Sequence, residues 1–259
     1  MNRYFALVVL FLAALASADE SLSASPWEGR IIGGLNAVMG QFPYQVSLRT
    51  LADFHFCGGA IIGDRWILTA AHCGIGRKPT EMVAVVGALS KSHGGNSYEI
   101  REIIVHPNFN EWTQESDLAI VRTRTAMSFN SVVFPVRMAR TYTPEGRAVL
   151  ASGWGLSSLT AVSNQKDVMQ YVALRTISNE ECKVRFERLQ NRIVADSSLC
   201  TFSRQTQGTC MGDSGGPLVN DGELVGLVSW GIPCAAGYPD VYVRVASFRA
   251  WISAMTGVY

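Results

Sequence analysis

The sequence predicts an all-β protein built as two β-barrels and closed by a C-terminal helix. Short β-branched or apolar runs recur along the chain, separated by Gly, Pro, Asn and Asp, which is the strand-and-turn pattern. Only the last segment carries a clear helical period. A polar stretch from Pro135 to Arg147, with Pro144 and Gly146, divides the strand-bearing region into halves of similar size. Composition agrees: 10% aromatic residues and 24 Gly among 259 suit short strands joined by tight turns.

The first thirty residues stand outside that fold. Arg3 precedes an apolar run of twelve, Phe5 to Ala16, and then Ala16-Ser17-Ala18. A charged start, an apolar stretch and small residues before a cut describe a secretory signal peptide, residues 1–18. Twelve residues span about 18 Å as helix, against roughly 30 Å of hydrocarbon, so the run is too short to anchor the chain in a membrane. The expected location is secreted and extracellular.

The strands follow in order. Gln45 to Leu48, Ala60 to Ile62, Trp66 to Thr69, Val83 to Val86, Glu99 to Val105 and Asp117 to Val121 fill the first half. Val149 to Ser152, Val168 to Ile177, Gly222 to Ser229 and Asp240 to Val245 fill the second. A helical turn is expected around Asn179 to Arg188. Near the end Phe248, Trp251, Ile252 and Met255 recur at i, i+3, i+4 and i+7, with Gly257 beyond. That is an amphipathic helix with a glycine stop.

Six cysteines, Cys57, Cys73, Cys182, Cys200, Cys210 and Cys234, fit an oxidising compartment and imply three disulfides, with fifteen possible pairings. Their order favours the neighbours 57–73, 182–200 and 210–234. Each would be worth about 3 kcal/mol on the loop-entropy account. No Cys-x-x-Cys spacing suggests zinc. The formal net charge of +1 excludes the basic excess of a nucleic-acid binder.

Three segments carry the chemistry. Leu68-Thr-Ala-Ala-His72-Cys73 ends an apolar run on a histidine. Glu115-Ser-Asp117-Leu-Ala-Ile-Val121 sets a carboxylate before an apolar strand. Gly208-Thr-Cys-Met-Gly-Asp-Ser214-Gly-Gly-Pro217 crowds glycines around a serine, and such a turn leaves backbone N–H groups free to face a ligand. In the order His, Asp, Ser they match a catalytic triad.

Thr69-Ala-Ala-His72-Cys73, Asp117-Leu-Ala-Ile-Val121 and Gly212-Asp-Ser-Gly-Gly-Pro217 resemble signature blocks of chymotrypsin-family serine endopeptidases. So do Ile31-Ile-Gly-Gly34, Ser152-Gly-Trp-Gly155 and Ser229-Trp-Gly231. The resemblance covers residue 31 to the C-terminus. It implies two antiparallel six-stranded Greek-key barrels, the first about 31–137 and the second about 145–245, with a helix about 246–256. It implies Ser214 as nucleophile, His72 as general base and acid, and Asp117 as the residue that orients His72. The N–H groups of Gly212 and Ser214 would bind the oxyanion. Gly208, Thr209, Met211, Ser229, Trp230, Gly231 and Asp240 would contact substrate. A non-catalytic homologue serving as a binding module would have lost one of the triad or oxyanion residues, and this chain keeps them.

The same resemblance implies a zymogen. Residues 19–30 form an activation peptide, a trypsin-like protease cuts after Arg30, and the new Ile31 amine pairs with Asp213. The expected partners are protein or peptide substrates, that activator and protein protease inhibitors, with no cofactor, nucleic acid or membrane.

The pocket departs from the trypsin pattern. Where trypsin-like members carry Asp, six residues before the nucleophile, this chain has Gly208. Where most members have Gly in Pro-Gly-Val-Tyr, it has Asp240 in Pro239-Asp240-Val241-Tyr242. The exchange resembles crab collagenolytic proteases and some insect chymotrypsin-like enzymes. It implies cleavage after large apolar or aromatic residues, tolerance of basic ones, and collagen as a candidate substrate; strict Arg/Lys specificity is the alternative. The loop Ala88 to Asn96 has no acidic residue, so no calcium site is expected there. His55, His93 and His106 lack partners in metal spacing and read as surface or turn residues.

Overall fold

The computed structural model describes residues 34–156, 167–187, 193–203, 207–232 and 236–259. The expected signal peptide and activation peptide, with Arg30 and Ile31, lie outside the described residues, as does Cys234.

After the two-residue β1 (Leu35–Asn36) come β2 (Gln45–Thr50), β3 (His55–Ile61), β4 (Trp66–Thr69), β5 (Met82–Val86), β6 (Asn96–Val105) and β7 (Ala119–Thr123). Strands β2 to β7 close in the order β2-β3-β4-β7-β6-β5. The short β8 (Arg137–Met138) leads to β9 (Ala148–Gly153), β10 (Gln170–Ile177), β11 (Ser198–Thr201), β12 (Pro217–Asn220), β13 (Glu223–Gly231) and β14 (Asp240–Arg244). These last six close as β9-β10-β11-β14-β13-β12, with β9 pairing both β10 and β12. Both barrels thus share one Greek-key order. β1 is added to β10, and β8 runs parallel to β13.

Alternation explains the second barrel. On β10, Val172, Leu174 and Thr176 are buried while Ala173 and Arg175 face out, as a period of two requires. β3 is longer than the sequence reading because Gly58 and Gly59 belong to it. They are glycines for a packing reason: a Cβ on Gly58 would lie 2.8 Å from the Cα of Gly216.

Between the barrels one apolar cluster joins Leu68, Leu118 and Ile120 of the first to Leu224, Leu227 and Val243 of the second. The helix α3 (Val245–Thr256), the third after the one-turn α1 (Ala71–Gly74) and α2 (Asn179–Phe186), adds Phe248 and Ile252 to it. Gly257 ends α3 at φ 72°, the left-handed conformation glycine adopts without Cβ strain. The apolar stripe stops one turn short of the expected pattern, since Met255 is 43% exposed. His106 opens a turn, its carbonyl accepting Phe109 N–H at 3.0 Å, and its ring lies edge-on to Phe248 and Trp251 at 5.1 and 4.7 Å between centroids. His93 does sit on an exposed loop, where Nδ1 bonds Ser90 Oγ at 2.8 Å.

Ser178 caps α2 by accepting a bond from Glu181 N at 3.1 Å. Disulfides Cys57–Cys73 and Cys182–Cys200 form as expected, the second tying α2 to β11. Cys210 is also disulfide-bonded.

Ile252 is fully buried at the junction of the barrels. Ile252→Ala should therefore lower unfolding stability by about 2–4 kcal/mol through the cavity it leaves. Urea denaturation should show a lower midpoint with an unchanged slope.

Candidate active site

His72 lies in α1, directly after β4, and its neighbour Cys73 is bonded to Cys57 on β3. Asp117 precedes β7 and is fully buried. The loop leading to it turns sharply, with Gln114 at φ 59° and Ser116 at φ 52°, a conformation that costs a side-chain-bearing residue strain. That turn delivers the carboxylate to α1. Asp117 Oδ1 accepts the backbone N–H of His72 at 2.9 Å, and Oδ2 meets His72 Nδ1 at 2.7 Å. A third donor comes from the other barrel: the Ser229 hydroxyl donates to Asp117 Oδ2 at 2.6 Å. Sequence reading assigns Ser229 to substrate contact. Its side chain is bonded to Asp117, and the residue also lines the adjacent pocket.

Ser214 sits on a turn held to the first barrel by its backbone. Its carbonyl accepts the N–H of Gly58 at 2.7 Å. The next residue, Gly215, has φ 74°, and a Cβ there would lie 2.7 Å from Gly58 O and 2.9 Å from Ala70 N. The serine turn is thus lodged against the strand end that leads into His72. Gly212 has φ 97°, and a Cβ on it would approach Gly155 Cα at 3.2 Å. A side chain would be strained and crowded at both glycines.

A pocket of about 180 Å³ opens beside Ser214, walled by Thr209, Val228, Trp230, Gly231 and Asp240 among others. Met211, 51% exposed, stands at its rim and also borders a larger cavity of about 410 Å³ lined by Phe54, Phe56, Trp154 and Leu156. The only cluster of metal-ligating residue types among the described residues is Cys57, Cys73 and His72. Its two sulfurs are joined in a disulfide and offer no thiolate.

The profile of the trypsin family matches residues 31–252. The chain belongs to the trypsin family of serine proteases. It is 35% identical over 259 residues to Trypsin 5G1 of Aedes aegypti, covering 96% of each chain. It is 38% identical over 224 residues to Chymotrypsin-2 of Vespa crabro, covering 86% of this chain and 98% of that protein. The two relatives' names divide between trypsin and chymotrypsin, the distinction the pocket raises.

In this family member two more carboxylates lie buried beside the serine turn. Asp213 accepts N–H bonds from Gly155 at 2.8 Å and Cys210 at 3.0 Å. Burial nevertheless raises its pKa to about 6. Gly153 and Gly155 are both glycine because a Cβ on either would collide with the Asp213 carboxylate. Asp240 accepts Thr209 N–H at 2.8 Å, and burial pushes its carboxyl up to about 7. A Cβ on Gly208 would lie 2.7 Å from Asp240 Oδ2. The carboxylate therefore occupies the space that a side chain at 208 would need.

His55 corrects the sequence reading. It is not a surface residue: Nδ1 bonds Ser47 Oγ at 2.8 Å and Nε2 bonds the Gly212 carbonyl at 2.9 Å. Arg49, itself buried, donates Nε–H to the same Ser47 Oγ at 2.9 Å. These partners assign the hydrogens. Arg49 donates to Ser47, Ser47 donates to His55 Nδ1, and His55 Nε2–H donates to Gly212. Burial lowers the His55 pKa to about 4, so the ring is neutral at physiological pH, as that arrangement needs. No sequence spacing points to this chain of bonds, because it joins β2, β3 and a turn some 150 residues away.

Gly212 is held by His55, so His55→Leu should loosen that residue without touching His72 or Asp117. Loss of a whole oxyanion donor costs on the order of 10²–10³ in rate. If the Gly212 N–H binds the oxyanion, as the family resemblance implies, loosening it should lower kcat by about tenfold, read from steady-state hydrolysis of a peptide amide.

Proposed function

We propose that the chain is a secreted zymogen whose mature form cleaves peptide bonds through an acyl-enzyme, with mixed apolar and basic specificity. Ser214 Oγ attacks the scissile carbonyl. His72 takes the hydroxyl proton and returns it to the leaving amine. Asp117 holds the His72 ring by Nδ1 and stabilises the imidazolium that forms. The N–H groups of Gly212 and Ser214 face the oxyanion. The three donors converging on Asp117 support this assignment, as does the docking of the serine turn beside His72.

Asp213 supports the zymogen reading. A buried carboxylate is costly without a cation, and its two N–H bonds leave its pKa raised. Cleavage after Arg30 would free the Ile31 ammonium to pair with it. Arg30→Gln should leave the secreted protein uncut by a trypsin-like activator and nearly inactive. N-terminal sequencing, together with activity before and after activator treatment, checks this.

One observation carries the specificity reading: the only carboxylate lining the described pocket beside Ser214 belongs to Asp240, and it fills the space beside Gly208. The pocket walls accept Phe, Tyr, Leu or Met. A lysine or arginine side chain would reach a carboxylate on the side wall, displaced from the position a trypsin offers. Asp240→Gly should reduce kcat/KM for basic substrates by at least about tenfold, or about 1.4 kcal/mol in the transition state. Peptides ending in Phe or Leu before the scissile bond should lose much less. Equal losses for both classes would make Asp240 structural, and wild-type cleavage after Arg and Lys alone would favour the trypsin-like alternative.

A further inference from the structure

We propose that Asp240 is a proton-gated selector: protonated, it lets the pocket take neutral apolar side chains, and ionised, it favours lysine or arginine. The inference rests on the specificity reading above and adds that the preference changes with pH.

The geometry makes the charge of this carboxylate conditional. Asp240 lies at the start of β14 with 6% of its surface exposed, between Gly208 and Gly231. Oδ2 accepts the backbone N–H of Thr209 at 2.8 Å. The charged and titratable described groups that face it are acids. Asp213 comes from the serine turn, and the Tyr242 phenol comes from its own strand. β13 presents Trp230 and Gly231, and β11 presents Thr201, which carry no charge. A carboxylate here thus has only the Thr209 N–H and hydroxyl as donors and no described cation of its own; on the activation reading the Ile31 ammonium pairs with Asp213 in the mature enzyme and offsets that neighbour's charge. Burial raises its pKa to about 7, with the Asp213 charge adding to the rise and the Thr209 bonds opposing it. Desolvation is the largest cause and persists when the Asp213 charge is paired.

The two substrate classes respond oppositely. An apolar side chain entering above an ionised Asp240 removes its remaining water and leaves the charge unpaired, which is costly. Above the protonated acid it meets a neutral wall. A lysine ammonium or arginine guanidinium pairs with the ionised form, but gains no charge partner from the acid. With a pKa raised to about 7, the proton is held below neutrality and released to solvent above it. Basic cleavage should therefore gain relative to apolar cleavage as pH rises.

The test uses the mature, activated enzyme and two peptides that differ only in Lys or Leu before the scissile bond. The measured quantity is the ratio of their kcat/KM values. Protonation of groups that act on both substrates alike, such as those of the triad, cancels in that ratio. From about one pH unit below neutrality to about one above, the ionised fraction of such an acid rises about tenfold. The Lys/Leu ratio should rise by about tenfold if only the basic peptide senses it, and by up to about a hundredfold if both do. In Asp240→Asn, which keeps a carbonyl oxygen for Thr209 N–H but cannot ionise, the ratio should be low and independent of pH. A wild-type ratio that stays constant across this range overturns the inference. In that case the specificity reading survives if the Lys peptide is cut and Asp240→Gly loses it. No cleavage after Lys or Arg at any pH overturns the specificity reading and the inference with it. A ratio that rises equally in Asp240→Asn assigns the titration to another group and also overturns the inference.

Discussion

Asp117 is the constraint around which the two barrels meet. A fully buried carboxylate must find donors or give up its charge. Its donors are the His72 backbone and ring on one side and the Ser229 hydroxyl on the other. The first two belong to the segment after β4 and the third to β13, so satisfying one side chain requires both barrels in register. The Cys57–Cys73 disulfide holds α1 from behind. The Ser214 carbonyl bonded to Gly58 N–H brings in the last element. The geometry near Ser214 thus depends on contacts between barrels, while each barrel closes on its own ladder.

The second barrel handles its buried acids differently. Asp213 and Asp240 both receive backbone N–H bonds, and both keep raised pKa values because those bonds do not offset desolvation. Each is surrounded by glycine: Gly153 and Gly155 make room for Asp213, and Gly208 for Asp240. Several glycines that could pass for turn residues are therefore cavities shaped around carboxylates. Such a group remains responsive, because a new cation or a proton changes its energy more than it would at the surface.

Strand positions with alternating or continuous apolar residues were legible in the chain, and all ten expected runs coincide with parts of strands. The two-residue β1 and β8 were not, nor were β11 and β12. β11 is four residues long, and β12 opens on Pro217 within the serine motif; proline is tolerated there because a first strand residue can forgo a ladder donor. β3 was obscured by Gly58 and Gly59: the serine turn presses on Gly58 through Gly216, and Ile67 and Leu68 of β4 press on Gly59. His55 was misread for a related reason: its partners, Ser47 and Gly212, are brought to it only by the closed barrel and the docked turn.

By itself the sequence determined residue chemistry and local order: which runs could be strands, where a terminal helix stops, and which His, Asp and Ser carry the family blocks. It also placed Gly at 208 and Asp at 240, which only the family resemblance turns into an exchanged carboxylate. The tertiary structure alone decided what surrounds those groups. It put Ser229 on Asp117, His55 on Gly212, and Asp240 into the volume beside Gly208. The physical reason is that burial and hydrogen bonding are set by neighbours far apart along the chain, so the charge state and reach of a carboxylate appear only once the barrels close around it.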